Sequence, residues 1–317
     1  MQTPSTKKYR PRSQSTPNGR QTLITNNDVL GIFEPLSRHA QLTTKQLVAF
    51  DRRHASTVRN RLTDLYHAKG EWLVRVSESL KLANSLTTDE MYRLGKDAKD
   101  LLIARGFIPS DRWVQTARVG GNSNAPSRIF RLAHDHMASH IALDIEIGAR
   151  AAKLHRFRNH IEIINNAPER TRTFPKPLRV AVPPIHGAPK WIEPDALIGI
   201  DDRYFAIEAD TGSESIEGVI KPKILAYREI VASGIIDDHF GIDNLRVLFV
   251  TTNAKRMRNM IAAVASIARE GRSTMFGFAC RPDLGQLAGA PAPDGRLFAE
   301  PWLRAGRDDL RLDLANK

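Results

Sequence analysis

Trp191–Asp210 reads WIEPDALIGIDDRYFAIEAD. Two largely apolar runs, Glu193–Ile200 and Arg203–Asp210, flank Asp201-Asp202, a composition that predicts two strands joined by a tight turn. With the turn centred there, directly opposed residues have numbers that sum to 403. One face then pairs Ala196 with Ile207 and Ile198 with Phe205, all apolar. The other pairs Asp195 with Glu208 and Glu193 with Asp210. Cross-strand β-carbons stand about 5 Å apart, so four carboxylates would gather at one end of the hairpin and repel one another. Two remedies are open: a hard divalent cation on oxygen ligands, or neighbouring Lys and Arg. Mg2+ held by one or two carboxylates and a phosphate is the usual arrangement for phosphodiester chemistry, where the ion also activates water. A register slip of one residue would instead exchange the faces and leave a solvated sheet edge whose acids never meet.

Downstream of the hairpin, Thr211–Glu214 is a turn and Ser215–Ala232 is largely helical. Pro222 breaks a helix interior, so the spacing predicts a short first piece and a restart with Pro222 in its first turn. Lys223 and Tyr227 then lie four apart on one face. A third strand is expected at Leu245–Val250, a helix from Lys255 to Ala268, and last strands at Phe276–Ala279 and Leu297–Leu303. This alternation is an α/β layered order.

Upstream, Arg128 to about Leu154 reads as one long helix. His136, His140 and Asp144 follow at four-residue spacing, so one face presents three potential metal ligands. Polar packing is the commoner role for such residues. His134 lies on the same helix, and Glu146 is a further carboxylate able to face the hairpin. Phe107–Pro126, rich in Gly, Asn, Ser and Pro, is either a linker or a loop of the second domain.

From Thr25 the pattern is helical, with Val29, Leu30, Phe33 and Leu36 forming an apolar stripe. Thr43 or Thr44 caps a second helix. A third runs from Ser56 to Ala68 with Val58, Leu62, Leu65 and Tyr66 inward, stopped by Lys69-Gly70. Strands are expected at Trp72–Val76 and Glu90–Leu94, with a wing at Ser77–Thr88 between them, and then a helix over Lys96–Arg105. Three helices followed by a strand pair is the order of a winged helix. Its third helix would enter the major groove, with Arg52, Arg53, Ser56, Thr57, Arg59, Asn60 and Arg61 available to phosphates and base edges. The alternative is a helical bundle with a solvated basic face.

Charge placement agrees with a nucleic-acid partner. Lys and Arg number 47 against 35 Asp and Glu, a net of +12. Residues 1–106 hold 18 basic and 10 acidic side chains, two thirds of the excess. The first twenty carry Lys7, Lys8, Arg10, Arg12 and Arg20 without an acid, a basic arm able to track a DNA backbone or a solubilising tail. The single cysteine, Cys280, excludes an internal disulfide and a Cys-based zinc site. No apolar run approaches the ~18 residues of a membrane span, and no signal-peptide stretch opens the chain, so a cytoplasmic protein with no membrane partner is expected. Nothing implies a small-molecule substrate. The expected division is an arm over 1–24, a winged helix over 25–106, a connection over 107–126 and an α/β domain over 127–317.

Pro194-Asp195 followed by Glu208 after a short hairpin resembles the PD-(D/E)xK nuclease core. That resemblance implies a restriction-endonuclease-like α/β domain in which Asp195 and Glu208 bind Mg2+, or Mn2+ in its place, and a Lys two residues after the Glu positions water. Asp210 occupies that last position here, and Lys223 on the next helix is the replacement. The combination LTTKQLVAF, VRNRLTDLYHAKGEWLVR, EPDALIGI, YFAIEADTGSES and VLFVTTNAKRM is similar to the replication-relaxation family of bacterial plasmids and mobile elements. The similarity implies a winged helix joined to a nuclease-like domain, double-stranded DNA as partner, and a role in replication, mobilisation or their control. Hydrolysis by Asp195, Glu208, Asp210 and Lys223 and a non-enzymatic regulatory role both stay open. Dimerisation on a palindrome is compatible with either.

Overall fold

Thr25 opens the first helix with a reciprocal cap, its hydroxyl accepting from the Asp28 amide while Asp28 accepts from the Thr25 amide. The computed structural model describes residues 18–76, 89–110, 125–153, 156–285, 287 and 289–314, with backbone alone for 125–130. Helix α1 is continuous through Asn26–Asp28, a wider π-helical stretch Val29–Phe33, and Glu34–Arg38. Val29, Phe33 and Leu36 are buried as expected, but Leu30 is exposed and Ile32 takes its place. One position past Val29 is a rotation of about 100°, which carries Leu30 off the core face.

Strand β1 (Leu42–Thr43) leads into α2 (Thr44–Phe50), which Thr43 caps reciprocally with Gln46. Helix α3 (Ala55–His67) buries Val58, Leu62 and Leu65, while Tyr66 is only half-buried and lies under the Arg75 guanidinium. Gly70, at φ +101°, turns the chain into β2 (Leu73–Arg75). Strand β3 (Met91–Leu94) and α4 (Lys96–Ala104) complete the N-terminal unit. Its three-stranded sheet has the order β1-β3-β2 and is antiparallel throughout. The expected wing at 77–88, most of the arm and most of the connection lie outside the described residues.

The remainder is an α/β unit. Helix α5 (Ala125–Ala152) is followed by β4 (Phe157–Arg158), α6 (His160–Asn165), α7 (Glu169–Arg172), and a two-stranded ribbon of β5 (Val180–Ala181) and β6 (Trp191–Ile192). Next come β7 (Ala196–Ile200), β8 (Arg203–Asp210), a π-helical turn Ile216–Ile220, α8 (Lys221–Ala232) and α9 (Ile235–Phe240). The chain closes with β9 (Arg246–Thr251), α10 (Ala254–Ile267), β10 (Phe276–Cys280), α11 (Arg296–Ala299), β11 (Trp302–Arg304) and β12 (Arg307–Leu310). These strands build a seven-stranded sheet, β12-β11-β10-β9-β8-β7-β4, in which β8, β9 and β10 are parallel and the other pairings antiparallel.

The hairpin register is the expected one: Ala196 faces Ile207 and Ile198 faces Phe205 across the turn at Asp201-Asp202. Strands β7 and β8 lie inside the sheet, flanked by β4 and β9, so the hairpin is no solvated edge. Ile198, Phe205, Ile207, Leu248 and Val250 pack in the core layer shared with α5 and α11, whereas Ala206, Val247 and Phe249 belong to the layer of α8 and α10. Burial on both faces explains why these strands read as nearly continuous apolar runs.

Leu297–Leu303 is not one strand. Its first part is α11, because Asp144 of α5 accepts hydrogen bonds from the Asp294, Gly295 and Leu297 amides and so caps a helical turn. Gly148 allows this close approach, since a Cβ there would stand 2.4 Å from the Phe298 Cβ. The two units meet at a buried ion pair: Arg38 Nη1 lies 2.8 and 2.7 Å from the two Glu146 oxygens, and Arg150 also pairs with Glu146. Glu146 therefore faces the N-terminal unit and not the hairpin carboxylates. Burial opposes the charge of Arg38, but Glu146 and Glu34 hold its pKa above the ordinary value.

Candidate functional site

The pairing of β7 with β8 extends one residue past the strand end, where the Asp195 amide donates to the Ile207 carbonyl at 3.0 Å. Asp195 thus meets the same residue that Ala196 faces, and it lies near enough for its charge to act on Glu208. Its Oδ2 accepts the Ala209 amide at 2.9 Å and stands 3.4 Å from His134 Nε2 of α5. Glu208, 3% exposed, points toward α8. Tyr227 donates to its Oε1 at 2.6 Å, and Lys223 donates to its Oε2 at 3.0 Å. Lys223 also reaches Glu214 Oε2 at 3.2 Å. Residues four apart on a helix share a face, and Pro222 in the first turn of α8 sets that phase.

Burial pushes the Glu208 carboxyl up; Lys223 pulls it down and Asp195 adds to the rise. Burial opposes the Lys223 charge, yet Glu208, Asp195 and Glu214 together hold its pKa above the usual lysine range. Three carboxylates thus surround one ammonium, leaving net negative charge in a largely desolvated place.

The other two acids of the expected cluster are engaged elsewhere. Asp210 takes a two-point contact from Arg256, with Nε at 2.5 Å and Nη2 at 2.8 Å, and its Oδ2 also accepts from Thr251 Oγ1 at 2.7 Å. Glu193 lies before β7 and pairs with Arg179 at 3.0 Å. Of the two remedies posed by the sequence, basic neighbours are the one in place: Arg256 meets Asp210, Arg179 meets Glu193 and Lys223 meets Glu208.

Asp195 and Glu208 offer a hard cation oxygen donors of the right chemistry, and each Glu208 oxygen accepts one hydrogen bond in its contacts with Tyr227 and Lys223, where it has room for two. Among the described residues, no group of three or more His, Cys, Asp or Glu side chains is placed to surround a metal. Mg2+ needs fewer, because it is usually held by one or two carboxylates with waters and phosphate completing the shell. Asp195 and Glu208 fit that requirement. His136 and His140 are buried and neutral, burial pulling their pKa down to about 3 and about 4, and Asp144 is committed to backbone amides.

Arg256, Glu214, Thr251 and His134 escaped the sequence reading as site residues. Arg256 was visible only as part of a basic stretch in VTTNAKRM. Its role comes from Asn253, which caps α10 by accepting from the Arg256 amide and so begins the helix beside the end of β8.

The seven residues expected at DNA, Arg52 and Arg53 just before α3 and five on it, divide into two groups. Arg53 donates to Asp51 and Asp28, and Arg61 donates to Asp28 and to the Leu23 carbonyl. Burial raises the Asp28 carboxyl, but hydrogen bonds from Arg61, Thr25 and Arg53 bring it below its ordinary value. These two arginines fasten α1 to α3. Ser56, Thr57, Arg59 and Asn60 stand exposed on α3 and Arg52 is exposed in the bend before it, with Ser56 Oγ 2.9 Å from His54 Nδ1.

A family model described as Replication-relaxation matches residues 33–245, which include α3 and the Asp195, Glu208, Lys223 and Tyr227 positions. No curated protein and no solved structure matches the chain. No helix among the described residues is long and apolar enough to cross a membrane.

Proposed function

The chain belongs to the replication-relaxation family, and from that premise we propose a DNA-binding protein that acts in the replication or mobilisation of a plasmid or other mobile element by cutting one DNA strand with a metal ion. The observation that carries the chemistry is Lys223, 3.0 Å from Glu208, with the Asp195 charge acting on both. Asp195 and Glu208 would hold Mg2+ or Mn2+, which when bound supplies a Lewis acid and an activated water. Lys223, kept protonated by its three carboxylate neighbours, donates to the phosphate oxygen on which negative charge develops. Tyr227 fixes the Glu208 rotamer. Asp210 anchors Arg256 and stays clear of the substrate.

Three helices followed by a small antiparallel sheet support reading the N-terminal unit as a winged helix that engages duplex DNA through Arg52, Ser56, Thr57, Arg59 and Asn60. The expected test is nicking of supercoiled plasmid in Mg2+ or Mn2+ by wild type, with no product from Asp195→Ala or Glu208→Ala. Equal cutting by both variants would remove the site from this cluster.

A second reading is favoured by the engagement of Asp210, Glu193 and Lys223 with protein partners: a non-enzymatic regulator or replication factor in which the cluster holds α8 to the sheet. It requires that wild type bind duplex DNA and leave plasmid intact under every metal condition.

A further inference from the structure

Trp191 is 50% exposed, although an indole is among the side chains that gain most from burial. It stands on β6 opposite Ala181 of β5, also exposed, and a methyl group is too small to cover the ring. The same register sets Arg179 against Glu193 on this outward face. The ribbon lies along α8: a Cβ at Gly187, in the turn between β5 and β6, would be 3.7 Å from Leu225 Cδ1. Asp195 follows Trp191 by four residues, a reach of at most about 14 Å. Trp191 and Asp195 are therefore within about 14 Å of each other along the chain.

The ribbon and the segment leading into it are basic. Residues 170–192 contain Arg170, Arg172, Lys176, Arg179 and Lys190 and no Asp or Glu, and Lys176 and Lys190 are exposed. No other exposed large apolar side chain among the described residues lies on this ribbon. A lone aromatic ring on a segment with exposed Lys176 and Lys190 lacks the contiguous apolar area of a protein interface. It has the composition of a single-strand track, where a base stacks on the ring while cations neutralise the backbone. Paired bases are stacked on one another inside a duplex, so the ring selects an unpaired one.

We propose that Trp191 is a stacking platform for an unpaired DNA base, holding a single strand beside Asp195, Glu208 and Lys223. The proposal rests on the reading of the chain as a protein that acts on DNA and adds to it the form of DNA held at the second unit. The test is fluorescence anisotropy of the full chain with a labelled 12-nucleotide single strand and with its duplex, both without metal. Trp191→Ala should weaken single-strand binding about tenfold, Trp191→Phe should keep most of it, and duplex binding should not change. Wild-type affinity of Trp191→Ala for the single strand, or an equal loss on both forms, would overturn the platform. Dissociation by Trp191→Ala of a wild-type dimer seen in sedimentation would assign the ring to an interface between copies and overturn it too. Binding of neither form by wild type would remove the DNA reading itself, whereas duplex binding with a single-strand affinity indifferent to Trp191 would remove the platform alone.

Discussion

Tyr227 donates its hydroxyl to Oε1 of Glu208 at 2.6 Å, both groups lying out of reach of solvent. Lys223, one turn earlier on α8, takes the other oxygen. A carboxylate held at both oxygens by one helix is fixed in rotamer and ties that helix to β8. Tyr227→Phe should cost on the order of 2 kcal/mol of stability, the range for a buried hydrogen bond to a charged group. Urea unfolding would measure it, and a loss below a few tenths of a kcal/mol would show that the bond does not support the fold.

Arg59→Ala and Arg61→Ala should separate. Arg61 is tied to buried Asp28, so its removal should lower the unfolding midpoint, because it strips a charge partner from a carboxylate that is 0% exposed. Arg59 is exposed on the outer side of α3, so its removal should leave the midpoint in place and weaken duplex binding, with the salt slope reduced by about 1. Paired measurements of melting and of affinity at several salt concentrations decide between them.

Arg38→Ala should destabilise by about 3 kcal/mol, the low end of the range for breaking a buried ion pair, because Arg150 still reaches Glu146. Arg38 and Glu146 are both almost wholly enclosed between the units, and Phe50 lies against the guanidiniums of Arg38 and Arg150. Replacing the pair together, as Arg38→Met with Glu146→Leu, should recover much of the loss. A double-mutant cycle by denaturant unfolding provides the number, and additive effects would argue against direct coupling.

Stability should fall as pH drops from about 6.5 toward about 4. His136 and His140 have depressed native pKa values and ordinary ones when unfolded, so in that window the unfolded chain binds protons that the native chain does not. Each histidine contributes a slope of at most about 1.4 kcal/mol per pH unit, and the contribution is flat above neutrality. No hydrogen bond is made by either ring nitrogen of His140. His140→Leu should therefore flatten the profile without a large loss at pH about 7.5; an unchanged slope would reassign the acid sensitivity to other groups.

Asp144→Ala removes the acceptor of three backbone amides and should cost on the order of 3 kcal/mol. Faster hydrogen exchange at Gly295 and Leu297 should accompany it. Asp144→Asn, which keeps one acceptor oxygen, should lose less.

The hairpin was legible because period-two alternation and a two-residue turn fix both register and face, which is why the Ala196–Ile207 and Ile198–Phe205 pairs follow from the sequence. The chain just before β7, where Asp195 shares Ile207 with Ala196, does not follow from that count. Lys223 and Tyr227 were legible as a pair because Pro222 dictates where the helix restarts. Arg256, Glu214 and His134 were not, since each arrives from an element whose position depends on sheet order and helix packing, and neither leaves a local pattern. Arg53 and Arg61 show the converse failure. Composition marks an arginine as basic but says nothing of a buried aspartate some thirty residues away that claims it.

Helix α5 touches three distant partners: His134 is set against Asp195, Asp144 holds the turn of α11, and Glu146 grips Arg38. At about 100° per residue, Asp144 lies about 280° around the axis from His134, and Glu146 about 120°. Teeth that point in three directions make the rod a splined shaft. It cannot turn in its seat without disengaging all of them, and an inserted residue between His134 and Asp144 would misalign two at once. A shift at the Arg38 end therefore reaches Asp195 as a movement of the whole shaft or does not reach it at all.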